Sequence, residues 1–308
     1  MKKKLLFFLK CLIMLGIVIL FCFWIVMPQY LNNYQAALID KNERLCSIDE
    51  PKIVLIGNSN LVFGIDSAAI EEAFGMPVVN MGMHGNLGNP FVEQAALKNV
   101  HEGDIVILSY SNFDDGDVIR NPQLAWITIE NHLELYSYVR PKDWKGMIRA
   151  YPTYLKDCLE LWTQGIGNMS SEDEYSRQQF NEYGDNIYGR PMLAPGTDFS
   201  QVHIPAIGDA TINRINALDQ KLKENGATLL VAAYPTPICE YTPDREEYVA
   251  FSDKLGSLLA CPLISRYEDY MMDQELFYNT YLHLNDQGVQ VRTALLIEDL
   301  QKYLDGDQ

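Results

Sequence analysis

Between Leu5 and Met27 the chain carries one charge, Lys10, in 23 residues. As a helix rising about 1.5 Å per residue, that run is roughly 34 Å long, enough for a bilayer's hydrocarbon core. Lys2, Lys3 and Lys4 precede it, and Lys10 lies close enough to that end to snorkel. Trp24 and Tyr30 stand where interfacial aromatics belong. Basic residues before the run and almost none just after it predict a single-pass anchor in the cell membrane, with a cytoplasmic N-terminus and an extracytoplasmic C-terminal domain. A cleaved signal peptide is the alternative. It calls for a shorter apolar core and a small-x-small site, and none follows Met27, so residues 1–30 are expected to stay as tip and anchor.

The rest of the chain is acidic. Formal net charge is -17, with 24 Lys+Arg against 41 Asp+Glu. Residues 1–30 hold four of the Lys and no acid, so the remainder has 20 basic against 41 acidic residues, a net of -21. Such a body lacks the clustered cations that phosphate neutralisation needs, which argues against nucleic acid as a partner. Cys46, Cys158, Cys239 and Cys261 are scattered, with no CxxC pair, and the five His have no zinc-protease spacing. No metal or other cofactor is expected. Export permits disulfides among these four Cys in three connectivities, and four unpaired thiols fit equally well. Asn168-Met169-Ser170 matches a glycosylation sequon.

Residues 31–50 are expected as a linker or short amphipathic segment. After them, short apolar runs alternate with helical patterns. Lys52–Ile56, Pro77–Met81, Ile105–Leu108 and Thr228–Ala233 are long enough for buried parallel strands, and 262–264 for a short fifth. Helices are expected near 66–74, with Asp66 as cap and Gly75 as stop, and near 91–100, 209–225, 244–259 and 285–303. The rhythm stops over 113–205, where helical stretches near 122–138 and 152–165 suggest an insertion over one end of the sheet. The pattern predicts an α/β three-layer sandwich for residues 51–308, with a parallel sheet of about five strands and right-handed crossovers.

In such sheets ligands bind beyond the C-terminal strand ends. Small and polar clusters fall there: Gly57-Asn58-Ser59-Asn60 after the first run, Asn80-Met81-Gly82-Met83-His84-Gly85 after the second, and Ser109-Tyr110-Ser111-Asn112 after the third. Tyr281-Leu282-His283-Leu284-Asn285 precedes the last helix. One Ser on a tight turn, Gly-rich backbone nearby and one late His are the parts of a nucleophile, base and oxyanion site. Gly57–Gly64 lacks both the Gly-Lys-Ser/Thr ending of a phosphate loop and the closely spaced glycines of a dinucleotide turn.

In order and spacing, these clusters resemble the blocks of the SGNH/GDSL hydrolase superfamily over about residues 51–112 and 205–303. The membrane-anchored branch, with the lipoteichoic-acid D-alanylation protein and relatives of alginate O-acetylation enzymes, is the most similar. The resemblance implies a flavodoxin-like fold with Ser59 as nucleophile, and Ser59 and Gly82 backbone N–H groups with the Asn112 amide as oxyanion donors. His283, followed by Asn285 and Gly288, takes the place of the base. It also implies an esterase or acyltransferase acting on acylated cell-envelope polymer or glycan. One departure stands out: the family usually has an Asp about three residues before the His. Here Thr280 is third and Asn279 fourth, and Asp273 is ten residues back. Asn279 can orient an imidazole but stabilises an imidazolium less than a carboxylate does. A catalytically weak or inactive accessory protein that binds glycan or a membrane partner is therefore the alternative.

Overall fold

The computed structural model describes residues 2–169 and 173–306. Helix α1 (Lys2–Phe21) continues through a π-helical turn at Cys22–Val26. Together they form a 25-residue helix long and apolar enough to cross a membrane, with none of its most apolar window buried in the protein. Residues 31–50 are not a free linker. A 3-10 turn at Tyr34–Ala36 leads into α2 (Ala37–Ser47), which buries Ala37, Leu38, Lys41 and Leu45 against the domain.

The domain proper starts with β1 (Ile53–Gly57), the short helix α3 (Ser59–Val62), and α4 (Ser67–Phe74). Asp66 caps α4 by accepting from Ala69 N at 3.2 Å, and Gly75 ends it in the left-handed region at φ 63°. Then come β2 (Val78–Asn80), α5 (Asn89–Asn99) and β3 (Ile105–Ser109). The insertion follows with α6 (Pro122–Ile129), a 3-10 stretch at Leu133–Tyr138 and α7 (Trp144–Gln164). Helix α8 (Asp209–Glu224), β4 (Thr228–Val231), β5 (Thr236–Ile238) and α9 (Arg245–Leu258) resume the alternation. Strand β6 (Met271–Asp273) and helix α10 (Asp286–Asp305) close it.

The main sheet has four parallel strands in the order β2-β1-β3-β4, and β5 pairs with β6 in a small parallel sheet. The expected fifth strand shrinks to a single bridge, Val231 to Leu263, flanked by two backbone hydrogen bonds. Pro262 has no N–H to extend it.

Alternation along β1 defines the layers. Ile53 and Leu55 join Ile70 of α4 and Leu296 and Leu300 of α10 in one core. Val54 and Ile56 face the other way, into a larger core with Val92, Ala95 and Ala96 of α5 and Ile215, Leu218 and Leu222 of α8. At the strand bottoms, buried Asp104 accepts from Lys52 N and Lys52 Nζ, both at 2.9 Å, and from His101 N. A buried pair survives only when hydrogen-bonded in this way.

Two sequence motifs are absorbed by packing. Asn168, the sequon residue, stands at φ 60° and accepts from Leu31 N at 2.8 Å through Oδ1 while its Nδ2 donates to Pro28 O. All six cysteines are unpaired.

Candidate functional site

The turn after β1 is built for close approach. Gly57 leaves no room for a side chain: a Cβ there would lie 2.5 Å from Ser109 O and 2.8 Å from Leu61 Cδ1. Asn58 opens α3, its Oδ1 accepting from Asn60 N and its Nδ2 donating to Ser111 Oγ at 2.6 Å. Ser59 is therefore the first residue of a short helix, where a backbone N–H has no intrahelical acceptor. From below, the fully buried Arg292 of α10 donates to Asn60 O and, at 2.9 Å, to Ser109 Oγ. Asn60 Nδ2 adds a bond to Ser109 O. The last helix thus ties the ends of β1 and β3 together under Ser59.

Above this turn lies a cavity of about 320 Å³. Ser59, His84 and Asn112 line it, with Arg120 and His203 on its rim, and Tyr281 and Leu282 lead from its wall to His283. Asn112 Oδ1 accepts from Asp114 N at 2.9 Å, which turns the Nδ2 donor the other way. Gly82 does not take the role expected of it. Its N–H donates to Asn80 Oδ1 at 2.9 Å and its carbonyl accepts from Lys41 Nζ at 2.7 Å. The N–H that the resemblance assigns to an oxyanion is spent on holding its own loop. His84 Nδ1 accepts from Asn86 N, so the neutral ring carries its proton on Nε2 and is a donor at the cavity.

His283 is buried, its ring stacked on Phe63 at 4.3 Å between centroids. Phe63 N donates to Ser59 O, so the imidazole packs against the same turn that carries Ser59. Among the described residues no hydrogen bond joins Ser59 Oγ to the ring. Nδ1 lies 2.8 Å from Asn279 Oδ1. The orientation of that amide follows from its other contacts. Asn279 Nδ2 donates to the Glu174 carboxylate at 3.2 Å and to Tyr175 OH at 3.3 Å, which leaves Oδ1 to accept the Nδ1–H. Nε2 is then the basic nitrogen. Asp273 plays no part here; it caps the turn that follows it, accepting from Glu275 N.

Burial, with the Arg190 guanidinium and then His84 nearby, pushes the His283 imidazole down to about 3. The ring is neutral at physiological pH. Glu174 is the residue that sequence reasoning passed over. It comes from the insertion, 105 positions before Asn279. No local motif marks it, because only the tertiary fold brings it behind the His-Asn pair.

Among the described residues, no group of three or more His, Cys, Asp and Glu is arranged to hold a metal ion. Compared with protein-family models, with curated proteins and with solved structures, the chain matches none.

Proposed function

We propose that this chain is a membrane-anchored, extracytoplasmic serine esterase or acyltransferase of SGNH type, acting on ester-linked acyl groups of cell-envelope polymers or glycans. The observation that carries the reading is Ser59 at the end of the first strand, lining a cavity beside a buried His283 whose Nδ1–H is taken by Asn279. In the first half-reaction Ser59 Oγ attacks the ester carbonyl carbon and its proton passes to Nε2 of His283. The tetrahedral oxyanion is met by the Ser59 N–H and the Asn112 amide; loss of one such donor typically costs about 2.7–4 kcal/mol. Collapse breaks the ester C–O bond, and the leaving alcohol takes the proton back from His283. Water or a sugar or polyol hydroxyl then repeats the sequence on the acyl-serine, giving hydrolysis or transfer.

The test is labelling of the detergent-solubilised full chain with a fluorophosphonate. Labelling is expected to vanish in Ser59→Ala and fall sharply in His283→Ala. Labelling that survives Ser59→Ala places the chemistry elsewhere.

One observation favours the second reading, a binding accessory on the same fold. Burial, and then the nearby charge of Arg190, disfavour the imidazolium that must form transiently, and the group on Nδ1 is the neutral Asn279 in place of a carboxylate. Absence of labelling in the wild type, together with binding of a glycan or polymer fragment that mutation of Ser59 leaves intact, supports that reading.

A further inference from the structure

Helix α7 runs beside the exit of the apolar N-terminal helix and points back along it. Near its middle, Tyr154 OH donates to Met27 O at 3.3 Å and Cys158 Sγ to the same oxygen at 3.5 Å. One turn further on, the Trp162 ring meets Phe21 edge-on, 5.6 Å between centroids. Phe21 lies five residues inside the end of the apolar span at Val26, about 7 Å along its axis. The C-terminal turn of α7 is therefore at the depth of the span and not beyond it.

The chemistry of this turn suits that depth. From Leu161 to Met169 no residue is charged, in a chain that is 21% charged overall. Leu159, Trp162, Ile166 and Met169 are 40–69% exposed, although each is large and apolar. Part of its backbone is satisfied within the protein: Ile166 N donates to Leu161 O, and Asn168 N to Gln29 O at 2.8 Å. A segment in contact with lipid needs this, because no water is there to take its polar groups. The apolar surface is continuous with that of the span through the Phe21–Trp162 contact.

We infer that residues 161–169, with Leu159, form a second membrane contact, a foot of the insertion seated in the acyl-chain boundary beside the N-terminal helix, with Glu160 turned to the headgroups. The occupant of this surface is lipid. The inference rests on the reading that the N-terminal helix crosses the bilayer.

The experiment uses the four tryptophans of the full chain as depth markers. The protein is placed in vesicles of phosphatidylcholine and phosphatidylglycerol, with or without brominated acyl chains, and the loss of tryptophan fluorescence is measured. Trp24 reports the span and Trp162 the foot. Trp126 is buried, and Trp144 lies 18 residues up α7, about 27 Å away. In Trp24→Phe, about half of the wild-type quenching is expected to remain, and in Trp24→Phe/Trp162→Phe it is expected to disappear. Trp144→Phe, as control, changes nothing. Trp162 is exposed, so its replacement by Phe spares the core, and an unchanged near-ultraviolet dichroism checks this. Quenching that Trp24→Phe abolishes alone overturns the foot and leaves the span standing. No quenching of the wild type overturns both.

Discussion

The carboxylate behind Asn279 changes what the most direct repair of the site should do. Asn279→Asp places a charge at hydrogen-bonding distance from His283 Nδ1–H. At an effective dielectric of about 20 and a charge separation of about 4 Å, the attraction to an imidazolium is about 4 kcal/mol. At about 1.36 kcal/mol per tenfold, that raises proton affinity at Nε2 by up to about a thousandfold, back toward the ordinary range for His. The same substitution sets Asp beside Glu174, whose Oε1 now receives a hydrogen bond from Asn279 Nδ2 at 3.2 Å. Repulsion between two carboxylates at that distance is about 5 kcal/mol by the same arithmetic, and solvent at the partly exposed Glu174 reduces it to about 1–2 kcal/mol. That repulsion is a cost in stability for the single variant; it does not lower the proton affinity of His283, which a second carboxylate raises. Asn279→Asp with Glu174→Gln keeps the donor, since the Gln amide donates to the new carboxylate. The proton affinity of His283, followed by NMR of its ring Cε1–H against pH, should fall slightly in Glu174→Gln, rise in the double variant and rise most in Asn279→Asp, where two carboxylates face the ring. Hydrolysis of a small acetyl ester should rise at least about tenfold in the double variant, because the base moves toward working pH. If the double variant titrates as the wild type does, the Asn279–His283 bond does not control the imidazole. If the single variant matches the double, Glu174 exerts no field there.

Further outcomes follow from other contacts. Arg292→Met removes the donor to Asn60 O and Ser109 Oγ and should cost about 1–3 kcal/mol in denaturant unfolding, with loss of Ser59 labelling at a smaller loss of fold. Burial raises the Glu130 carboxyl to about 8, although Gln29 N and Tyr30 N donate to it. Its folded value lies above the unfolded one, so its share of stability is full below about 4.5 and is lost as pH rises through about 8. Glu130→Gln should flatten that part of a Tm-against-pH curve. His283 has the opposite sign: its folded value of about 3 lies below the ordinary 6.5, so stability falls with pH between them, and His283→Gln should remove that acid-side slope. Protease added outside intact cells or spheroplasts should digest the body; a protected body contradicts the proposed topology.

The four strands of the main sheet were legible because each is a short, mostly apolar run, and burial on both faces demands such a run; β5 and β6 were missed, being three residues each and interrupted by Thr, Pro or Asp. The chemistry-bearing clusters were legible because polar residues directly after such runs fall at one edge of the sheet. The failures have local causes. Of the two expectations for residues 31–50, α2 is the amphipathic segment and not the linker, even though Lys41 lies on its buried side, where its Nζ donates to the carbonyls of Gly82 and Gly184. The helical stretch expected near 152–165 is part of a longer helix: α7 begins eight residues before Pro152, which sits in mid-helix on its exposed side. The single helix expected over 122–138 breaks at Glu130, which turns to positive φ to present its carboxylate to the chain leaving the span. Gly82 carries the expected motif, but whether its N–H is free depends on the Asn80 side chain, which spacing does not report. Glu174 depends wholly on long-range folding.

The chain between the span and the domain is fastened at several points. Glu130 holds Gln29 and Tyr30, Asn168 holds Pro28 and Leu31, and Arg177 donates to Asp40 at 2.6–2.7 Å and to Leu31 O. A domain on a loose tether explores a hemisphere around its anchor point. This one has no slack to do so. With α1 in a bilayer, the Ser59 cavity rides at one height and in one orientation, and it searches by lateral diffusion across a plane. On the proposed function, only acyl groups presented at that height enter it, and a long polymer is sampled at one fixed station along its length, whatever its total reach.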